Sequence, residues 1–523
     1  MKASDIRDIP KEEFAFANLG KELHDEKFQT KPIGYFKDAW IRFRKSRAAV
    51  TGAVIIILII LYALIVPIIS PFGLSDSDTR YSDMIPKNKF LSNFGIATGK
   101  VTRVSNDYKY VNLMAIGIGA ADKEGKGATW QDALTNEYSP VSHVSESYVN
   151  QEKVFRDLTV DVYLEKGFQF ESVTDDQYNA ILAWQEKTGI QVLYPMIDNS
   201  SRNQYSPDKQ DANIWYKCNP NKQTPIPVKT GMMGAVIELK TEDLESGKET
   251  LEDNYYRVNG EVQYFKNTGE FAKTVRVLSY TWYMYNHDGA EPIHIFGTDS
   301  AGYDIAVRLA YGIRLSLVLA FSVSLINFII GMIYGAIEGY YGGAADMIME
   351  RVSDILSAVP FIVVATLFQL HLAGKVGPVV SLLFAFVSTG WIGIASRVRT
   401  QFYRFKNSEY VSAARTLGAG DARLMFKHIF PNALGTIITS AVLIIPGVIF
   451  SESSLSYLGI VNITGDSGTS IGTMLANANS KMVNFPHEML FPALIISLLE
   501  ISFNLFGNGL RDAFNPSLRG TEE

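Results

Sequence analysis

An uncharged run near the start of the chain restricts what this protein can fold into more than any other feature. Residues 48–70, AAVTGAVIIILIILYALIVPIIS, hold no charged side chain. As a helix, a run of this length crosses the roughly 30 Å hydrocarbon core of a bilayer, where the backbone must satisfy its own hydrogen bonds. A cleaved signal peptide is the alternative, but 47 residues precede the run and no A-x-A site follows it. The run therefore predicts a first membrane span.

The charges on either side of this run predict its orientation. The residues that follow it, PFGLSDSDTRYSD, are net acidic, whereas the preceding segment is basic through Lys31, Lys37, Arg42, Arg44, Lys45 and Arg47. Positively charged flanks stay on the cytoplasmic side of a membrane. Residues 1–47 are therefore expected to form a cytoplasmic N-terminal segment, and the residues after the span are expected outside the cytoplasm.

Composition excludes two further possibilities. The formal net charge of −6 argues against a nucleic-acid partner. The single cysteine, Cys218, cannot form a disulfide within the chain. Any folded region outside the cell must therefore be held by an ordinary hydrophobic core.

A hydrophilic segment follows the first span. Residues 71–293 contain no run long enough to cross a bilayer and are expected to form an extracytoplasmic α+β domain. Thr174 and Gln177 predict a capping box at the start of a helix, and Gly189 predicts its end. These local signals agree with one another, as they do in a folded domain.

The same segment carries strand signals near its end. Asn259-Gly260 lies between two β-prone arms in YYRVNGEVQYF, which predicts a hairpin. A further strand is expected over residues 273–285, with aromatic side chains on both faces. Tyr280, Trp282 and Tyr283 could contact an extended peptide, or they could belong to the core of the domain.

Apolar runs return in the second half of the chain and bring the predicted number of spans to six. They are residues 315–337, 360–372 (starting nearer Ile355), 378–395, 433–450 and 489–507. Basic residues cluster between the fourth and fifth spans, whereas residues 452–488 hold only Lys481. The positive-inside rule therefore places the loop of residues 396–432, and both chain termini, in the cytoplasm.

Within that loop, one short helix is expected to show an apolar stripe. The stripe follows helical spacing and contains Tyr410, Ala413, Ala414 and Leu417. Two alanines would let another protein approach closely, as a partner that pushes on the loop must. The alternative is a basic connection that only enforces topology.

After this helix the chain is expected to turn. Gly418-Ala419-Gly420 predicts a break, and Asp421 can cap a second helix that ends at Pro431. The result would be a helix–glycine–helix elbow between two spans.

The elbow resembles the EAA loop of ABC-importer permeases. Ala413-Ala414, Gly418 and Pro431 match its pattern, while Ser412 stands where Glu is usual and His428 where Ile is usual. The variant EYVSAARTLGA…HIFPN resembles the oligopeptide, dipeptide and nickel branch of these permeases. The residues that the resemblance assigns to coupling with an ATPase are Glu409, Tyr410, Ala413, Ala414, Leu417, Gly418 and Pro431.

Two further blocks resemble the same branch. ESSLSYLGI (452–460) and NLFGNGLRDAFNP (504–516) form one, with Asn508 and Asn515 where acids are common. The other is HIFGTDSAGYDIAVRLAYGIRLSL (294–317), in which Tyr303 replaces the usual Arg. Its matching residues form an expected outer-face motif: His294, Gly297, Thr298, Asp299, Gly302, Asp304, Arg308, Gly312 and Arg314.

The resemblance covers residues 294–523 and the first span, and it implies the fold class. It implies a mostly α, polytopic, six-helix transmembrane permease of the type I ABC importers, most similar to the second permease subunit of an oligopeptide importer. The α+β domain of residues 71–293 would be inserted between the first two spans. Residues 294–523 would be the permease core.

The resemblance also implies partners, location and function. The chain would be a multi-pass subunit in the cell membrane, among lipid, that forms half of a peptide pathway. Its partners would be a second homologous permease subunit, two cytoplasmic ABC ATPases, an extracytoplasmic peptide-binding lipoprotein and the peptide itself. ATP and magnesium would bind the ATPases, and no cofactor would bind this chain.

No nucleotide site is expected in this chain, so it is not expected to be an enzyme. Each Gly-Lys pair lacks the Ser or Thr that follows in a P-loop. The alternative function is a membrane-anchored extracytoplasmic enzyme or sensor acting through residues 71–293. An anchor needs one span, however, and not six.

Acidic residues near the spans complete the candidates. Glu500 lies within the sixth span, where a carboxylate facing lipid is costly. Together with Asn504 it could line the pathway or pair with a partner, or it could be a protonated interior residue. Glu452 is expected to begin an outer loop. His294, Asp299 and Asp304 could suggest a metal, but capping by the two aspartates is the favoured interpretation and no metal is expected.

Overall fold

The computed structural model describes most of the chain. The described residues are 35–150, 153–197, 212–213, 255–269, 271–463 and 468–514, together with four short strands between residues 217 and 238. Helices make up most of this described part. Strands occur only before residue 279 within it.

The apolar helices, together with the short helical segments continuous with them, belong to two parts of the chain. Ser46 caps the first of these helices, Arg47–Ile69, which lies where the uncharged run of residues 48–70 predicts a helix. They are Arg47–Ile69, Ile305–Tyr341, Gly343–Ser357, Phe361–Val376, Pro378–Gly390, Ile392–Phe405, Asp421–Arg423, Leu424–Ile429 (a π-helix), Phe430–Val442, Ile444–Tyr457 and Pro486–Phe514.

Five helical stretches could cross a membrane by length and composition. They are Arg47–Ile69, Ile305–Tyr341, Pro378–Phe405, Asp421–Tyr457 and Pro486–Phe514. A sixth candidate is the pair Gly343–Ser357 and Phe361–Val376, which is bent by 72° at its break. Six spans therefore stay a prediction that depends on counting the bent pair as one.

The helix Ile305–Tyr341 organises this part of the fold, and we call it the long helix. Its 37 residues correspond to roughly 55 Å. Leu309, Ala320 and Val323 are buried along it and pack against apolar side chains of the neighbouring helices, including Leu382 and Leu499. The long helix thus shares one hydrophobic core with the first apolar helix and with helices later in the chain.

The segment of residues 71–293, which we call the insert, contains both helices and strands. Its helices are Thr79–Tyr81 (3₁₀), Lys89–Ser92, Asp107–Ala121, Trp130–Thr135, Leu164–Lys166 (3₁₀), Asp175–Thr188 and Ser279–Asn286. Its strands are Lys100–Asn106, Val141–Asn150, Lys153–Asp161, Phe168–Thr174, Leu193–Tyr194, Lys217–Asn219, Thr224–Ile226, Val228–Thr230, Val236–Glu238, Arg257–Val258, Glu261–Val262, Phe265–Gly269 and Ala272–Leu278.

Two antiparallel sheets dominate the insert. In one, Lys153–Asp161 lies between Lys100–Asn106 and Val141–Asn150. In the other, Ala272–Leu278 pairs with Phe265–Gly269 on one side and with Phe168–Thr174 on the other. Buried residues such as Met114, Leu158 and Val277 fill the space next to the sheets. The insert therefore has the ordinary hydrophobic core that a chain with one cysteine requires.

Local signals in the insert are confirmed where they concern turns and caps. Thr174 and Gln177 form the predicted capping box, and Gly189 ends the helix in a left-handed conformation. Asn259 and Gly260 both have positive φ, 51° and 87°, between Arg257–Val258 and Glu261–Val262. This is the conformation that an Asn-Gly hairpin turn requires.

The strand predicted over residues 273–285 is wrong in its second half. The strand ends at Leu278, and Ser279–Asn286 is a helix. Aromatic side chains favour strands only where the surroundings suit them. Here Tyr280, Tyr283 and Met284, spaced three and four residues apart, pack into one aromatic cluster of the core. The packing requires a helical spacing that the alternation of the sequence does not reveal.

Candidate functional site

The residues of the predicted outer-face motif lie together where the insert meets the long helix. Asp304 precedes this helix, and its carboxylate accepts a hydrogen bond from the Val307 amide at 2.8 Å. The other carboxylate oxygen lies 2.8 Å from the Nδ1 atom of His294. Both side chains are buried, so this pair fixes the start of the helix. Capping by Asp304, the favoured interpretation from the sequence, is confirmed.

Asp299 of the motif caps a short turn, as expected from the sequence, and also binds a cation. Its Oδ1 atom accepts from the amides of Ala301 and Tyr303, at 2.9 and 3.0 Å. Its Oδ2 atom accepts from the Arg308 guanidinium at 2.7 Å. The guanidinium also lies over the Tyr303 ring, 4.4 Å from its centre. Tyr303, which replaces the usual Arg, therefore stacks against another arginine.

The motif also holds the first residues of the insert. The Thr298 hydroxyl donates to the carbonyl of Tyr81 at 2.5 Å and accepts from the amide of Met84 at 2.9 Å. Tyr81 is fully buried, and this burial raises the pKa of its hydroxyl well above the usual value. We call residues 78–88 the root of the insert, because this segment ties the insert to the helices.

Close backbone contacts explain two glycines of the motif. Gly297 and Gly302 have positive φ, 83° and 82°. A Cβ atom on Gly297 would overlap the carbonyl of Met84, and one on Gly302 would overlap the carbonyl of Asp78. The root can approach the motif this closely only because both positions lack a side chain.

The remaining motif residues contact other helices. Gly312 lies against the backbone at Ile471. The Arg314 guanidinium donates to the carbonyls of Ala63 and Leu64 near the end of the first apolar helix, at 2.5 and 3.0 Å. The motif thus joins the first apolar helix, the insert and the long helix in one structure.

The position predicted for Glu452, at the start of an outer loop, is wrong. The residue lies inside the helix Ile444–Tyr457 and is completely buried. Its carboxylate accepts hydrogen bonds from Ser316 at 3.1 Å, Ser456 at 3.0 Å and Ser453 at 3.4 Å. Several serines lie within four residues of this acid in the sequence, and they are the signal that indicates a buried, hydrogen-bonded carboxylate.

Glu500 and Asn504 lie on the helix Pro486–Phe514 in different surroundings. Glu500 is half-buried, and its Oε1 atom is buried with no hydrogen-bond partner among the described residues. Asn504 is exposed and donates to the carbonyl of Glu500 at 2.9 Å. The Asn504 side chain thus binds the backbone of Glu500 and not its buried Oε1 atom.

The predicted elbow begins with the helix Glu409–Thr416. The amide of Ala419 donates to the carbonyl of Ala414 at 3.1 Å, and the amide of Gly418 donates to that of Arg415 at 3.0 Å. This pair of bonds, with φ of +84° at Gly418, is a Schellman motif. The predicted break at Gly418 is confirmed.

The apolar stripe of this helix is largely uncovered. Leu417 is 88% exposed, Tyr410 is 40% exposed and Ala413 is exposed. Ala414 is half-buried and packs against the cluster around Val411. The stripe is therefore a small apolar surface with one edge fixed to the rest of the protein.

The second part of the elbow differs from the prediction. Gly420, not Asp421, is the N-cap, and Asp421 is the first helical residue. The helix does not end at Pro431 either, because Phe430–Val442 continues through it. A π-helix, Leu424–Ile429, ends two residues before the proline. The irregular turn accommodates a residue that has no amide hydrogen to donate.

One hydrogen bond joins the elbow to the end of the long helix, and an ion-pair cluster joins the two helices next to them, Gly343–Ser357 and Ile392–Phe405. The Tyr340 hydroxyl donates to the Asp421 carboxylate at 2.6 Å. Arg399 binds Asp346 at 2.6 and 2.9 Å and Glu350 at 2.9 and 3.0 Å. Residues 338–350, which carry no basic side chain, thus supply acids to this arginine. We call Arg399, Asp346 and Glu350 the arginine cluster.

The described residues include no group of three or more His, Cys, Asp or Glu side chains placed to hold a metal ion. His294 and Asp304, two of the candidates, instead bind each other.

Known proteins resemble both ends of this chain. The family described as "Binding-protein-dependent transport system inner membrane component" matches residues 327–520. The family described as "N-terminal TM domain of oligopeptide transport permease C" matches residues 34–89. Residues 90–326 lie outside both matches.

Individual relatives agree with these families. The oligopeptide transport system permease protein OppC of Bacillus subtilis is 41% identical over 43% of this chain and 72% of its own length. The dipeptide transport system permease protein DppC of the same organism is 40% identical over 43% of this chain and 69% of its own length. OppC of Haemophilus influenzae is 40% identical over 44% of this chain and 72% of its own length.

A solved structure of the MetNI methionine ABC transporter in an inward facing conformation contains a chain that is similar to this one, and the similarity covers 40% of this chain and 96% of the MetNI chain. The sequence identity is 15% and the TM-score is 0.33.

Several helices that are long and apolar enough to cross a membrane, one of them of 37 residues, define a polytopic membrane protein, and the family match makes it an inner membrane component of a transport system. The relatives specify its type. The chain belongs to the oligopeptide transport permease C family of binding-protein-dependent transport systems.

Proposed function

We propose that this chain is one permease subunit of an ATP-driven peptide importer and forms half of the peptide pathway. The relatives named above are permeases of oligopeptide and dipeptide systems. The other half would be a second, homologous permease subunit. Two cytoplasmic ATPases with ATP and magnesium would power the pathway, and a binding lipoprotein would deliver the peptide from outside.

In this proposal the chain crosses the cell membrane six times, with the bent pair Gly343–Ser357 and Phe361–Val376 as one crossing. Both termini and the elbow are cytoplasmic, and the insert is extracytoplasmic. The excess of Lys and Arg near the elbow supports this orientation. A membrane-anchored enzyme or sensor is a poorer explanation, since an anchor needs one crossing while five helical stretches here are long enough.

One observation carries the proposed coupling to an ATPase, namely the exposed stripe of Tyr410, Ala413 and Leu417. It is small enough to enter a groove of another protein, and its edge at Ala414 is fixed to the helices. A movement of the partner would therefore be passed to the long helix, through Tyr340 and Asp421.

The test places a charged side chain in the stripe. Ala413→Glu should lower ATP-driven peptide uptake at least about tenfold, because a bulky charge inside a docked interface costs on the order of 2 kcal/mol. Ala413 suits this test better than the half-buried Ala414, since its side chain is exposed. The amount of protein in the membrane should not change.

Ser412→Glu is the matched control. Ser412 is exposed on roughly the opposite side of the same short helix, and Glu is the residue usual there in the EAA pattern. Uptake should stay close to that of the unchanged chain. Equal uptake by both variants would contradict the proposed docking surface.

Orientation has its own test. A single cysteine is introduced at Ala414 after Cys218→Ser has removed the native one. A membrane-impermeant thiol reagent should label it in inside-out vesicles and not in intact cells. Labelling from outside the cell would overturn the orientation and the coupling together.

We further propose that the insert receives the binding lipoprotein or its peptide. This can be tested by deleting residues 90–285 and joining the ends with a short linker, so that the whole root stays attached to the motif. Uptake should fall while membrane insertion persists. Unchanged uptake would show that the insert is dispensable.

A further inference from the structure

A cavity of about 400 Å³ lies where the insert joins the helices. One wall is the root, from Asp78 to Tyr81, and another is the short helix Ser279–Asn286. Gln169 and Glu171, on the strand Phe168–Thr174, complete the lining. This volume lies within the range of cavities that bind small molecules.

A chain of hydrogen bonds crosses the floor of the cavity in one direction. The Arg80 guanidinium donates to the Ser279 hydroxyl at 3.4 Å, and that hydroxyl donates to the Gln169 carbonyl oxygen at 3.1 Å. The Gln169 amide donates to Glu171 at 2.6 Å. Ser279 and Gln169 are both buried, so the two charged ends are held in place by a fixed polar centre.

Two further polar residues of the cavity contact their own neighbours in the sequence. Asp78 accepts a hydrogen bond from the Arg80 amide at 2.9 Å. His287 stacks on the Tyr283 ring, 3.9 Å between ring centres, and its Nδ1 atom lies 2.9 Å from the Tyr283 carbonyl. Arg80 and Glu171 are the cation and the anion at the two ends of the chain of hydrogen bonds, and both line the cavity.

This arrangement is complementary to a zwitterion. An ammonium group would bind the Glu171 carboxylate, and a carboxylate would bind the Arg80 guanidinium, which can donate two hydrogen bonds to it. The partly buried Trp282 ring adds an apolar surface beside them. A ligand with a charge of each sign and an apolar side chain between them fits all three features.

We propose that this cavity binds short peptides with free ends, with the amino terminus at Glu171 and the carboxyl terminus at Arg80. The choice of peptides, among zwitterions, rests on the proposed function. The site lies outside both regions that resemble known families, apart from the root. Asp78 and Tyr81 contact Gly302 and Thr298 through their backbone, so a bound peptide would lie next to the motif that begins the long helix.

The experiment measures binding to the purified full-length chain in lipid nanodiscs, without ATPase subunits, by calorimetry. The probes are the tripeptide Ala-Tyr-Ala with free ends, with an acetylated amino terminus, and with an amidated carboxyl terminus. Each blocked end should weaken binding about tenfold, because each removes a hydrogen bond between charged groups. This comparison uses the unchanged chain and does not depend on the folding of a variant.

Two variants assign the ends. Glu171→Gln should abolish the difference between free and acetylated peptides but keep the difference between free and amidated ones. Arg80→Gln should do the reverse. Glu186→Gln, an exposed acid on the helix Asp175–Thr188, is the control and should change neither difference.

The proposal is overturned if the three peptides bind equally well, or if both differences survive in both variants. Failure of this peptide site can be distinguished from failure of the proposed importer function, because the importer function is tested by peptide uptake in the Ala413→Glu variant. Loss of uptake in that variant with equal binding of all three peptides would keep the importer and remove this site. The expected binding pattern with unchanged uptake would keep the site and remove the ATPase docking surface.

Discussion

The two ends of the long helix are held by different chemistry. At the end near the insert, buried hydrogen bonds from Asp304 and Thr298 and two close glycine contacts join the motif to the root. At the end near the elbow, the main contacts are the arginine cluster and the bond between Tyr340 and Asp421. The first set is buried, whereas Glu350 of the second is 44% exposed.

This difference predicts how each end responds to force or mutation. Close-packed backbones leave no room for small adjustments, so a change there costs stability. The interaction energy of ion pairs near water depends only weakly on their geometry, so these pairs can re-form after a helix moves. The end near the elbow is therefore the one suited to movement, and the end near the insert is suited to keeping the insert and the helix together.

The largest loss of stability is expected from a substitution at Gly302. Gly302→Ala should lower the free energy of unfolding by about 3–5 kcal/mol, since the new methyl overlaps the Asp78 carbonyl and the positive φ is itself unfavourable. Denaturant titration of the purified chain in detergent measures this loss.

Gly343→Ala is the matched control at the other end. Gly343 also has a positive φ, 56°, but a Cβ there would meet no atom within 4 Å. Only the backbone penalty of about 1 kcal/mol is expected. Equal losses in the two variants would remove the claimed difference between the two ends.

A smaller loss is expected at Glu452. Glu452→Leu should cost about 3 kcal/mol, because it leaves the hydroxyls of Ser316, Ser453 and Ser456 without their acceptor in a buried site. Glu452→Gln keeps a carbonyl acceptor and should cost much less.

Glu500→Leu provides the comparison for Glu452. The buried Oε1 atom of Glu500 has no donor within the described part of the chain. Its replacement by an apolar side chain of similar size should be close to neutral in the isolated subunit. A loss as large as that of Glu452→Leu would show that Glu500 has a stabilising partner in the isolated chain.

Local chemistry made much of the fold predictable. The apolar composition of residues 48–70, the Thr174 capping box and the Asn259-Gly260 turn each depend on a few neighbouring residues, and the structure contains the corresponding helix, cap and hairpin. The Schellman motif at Gly418 belongs to the same class. Such features need no knowledge of what packs against them.

Features set by distant contacts were not predictable in this way. Residues 279–286 form a helix because their aromatic rings meet the core around Tyr81 and Tyr163. Glu452 is buried because Ser316, far away in the sequence, lies opposite it. Pro431 continues a helix because a π-helix precedes it. In each case a long-range contact or a backbone irregularity outweighed the local signal.

The arginine cluster should tolerate change better than the end near the insert. Arg399→Met should cost about 2 kcal/mol, between the values for exposed and buried ion pairs, because Asp346 and Glu350 lose their common partner. Arg399→Lys should recover only part of this stability, because a lysine keeps the positive charge but its ammonium cannot reproduce the paired guanidinium bonds. Arg397→Met, at an exposed position two residues away, is the control and should change stability little.

The smallest effect concerns the contact between the long helix and the elbow. Tyr340→Phe removes the 2.6 Å hydrogen bond to Asp421 and should cost about 1 kcal/mol of stability. Amide hydrogen exchange should speed up in residues 409–423 and stay unchanged in residues 294–304. Tyr341→Phe, whose side chain is 56% exposed, should change neither region. Faster exchange in the motif after Tyr340→Phe would mean that the two ends of the helix unfold together, and the division into a movable end and a fixed end would then be wrong.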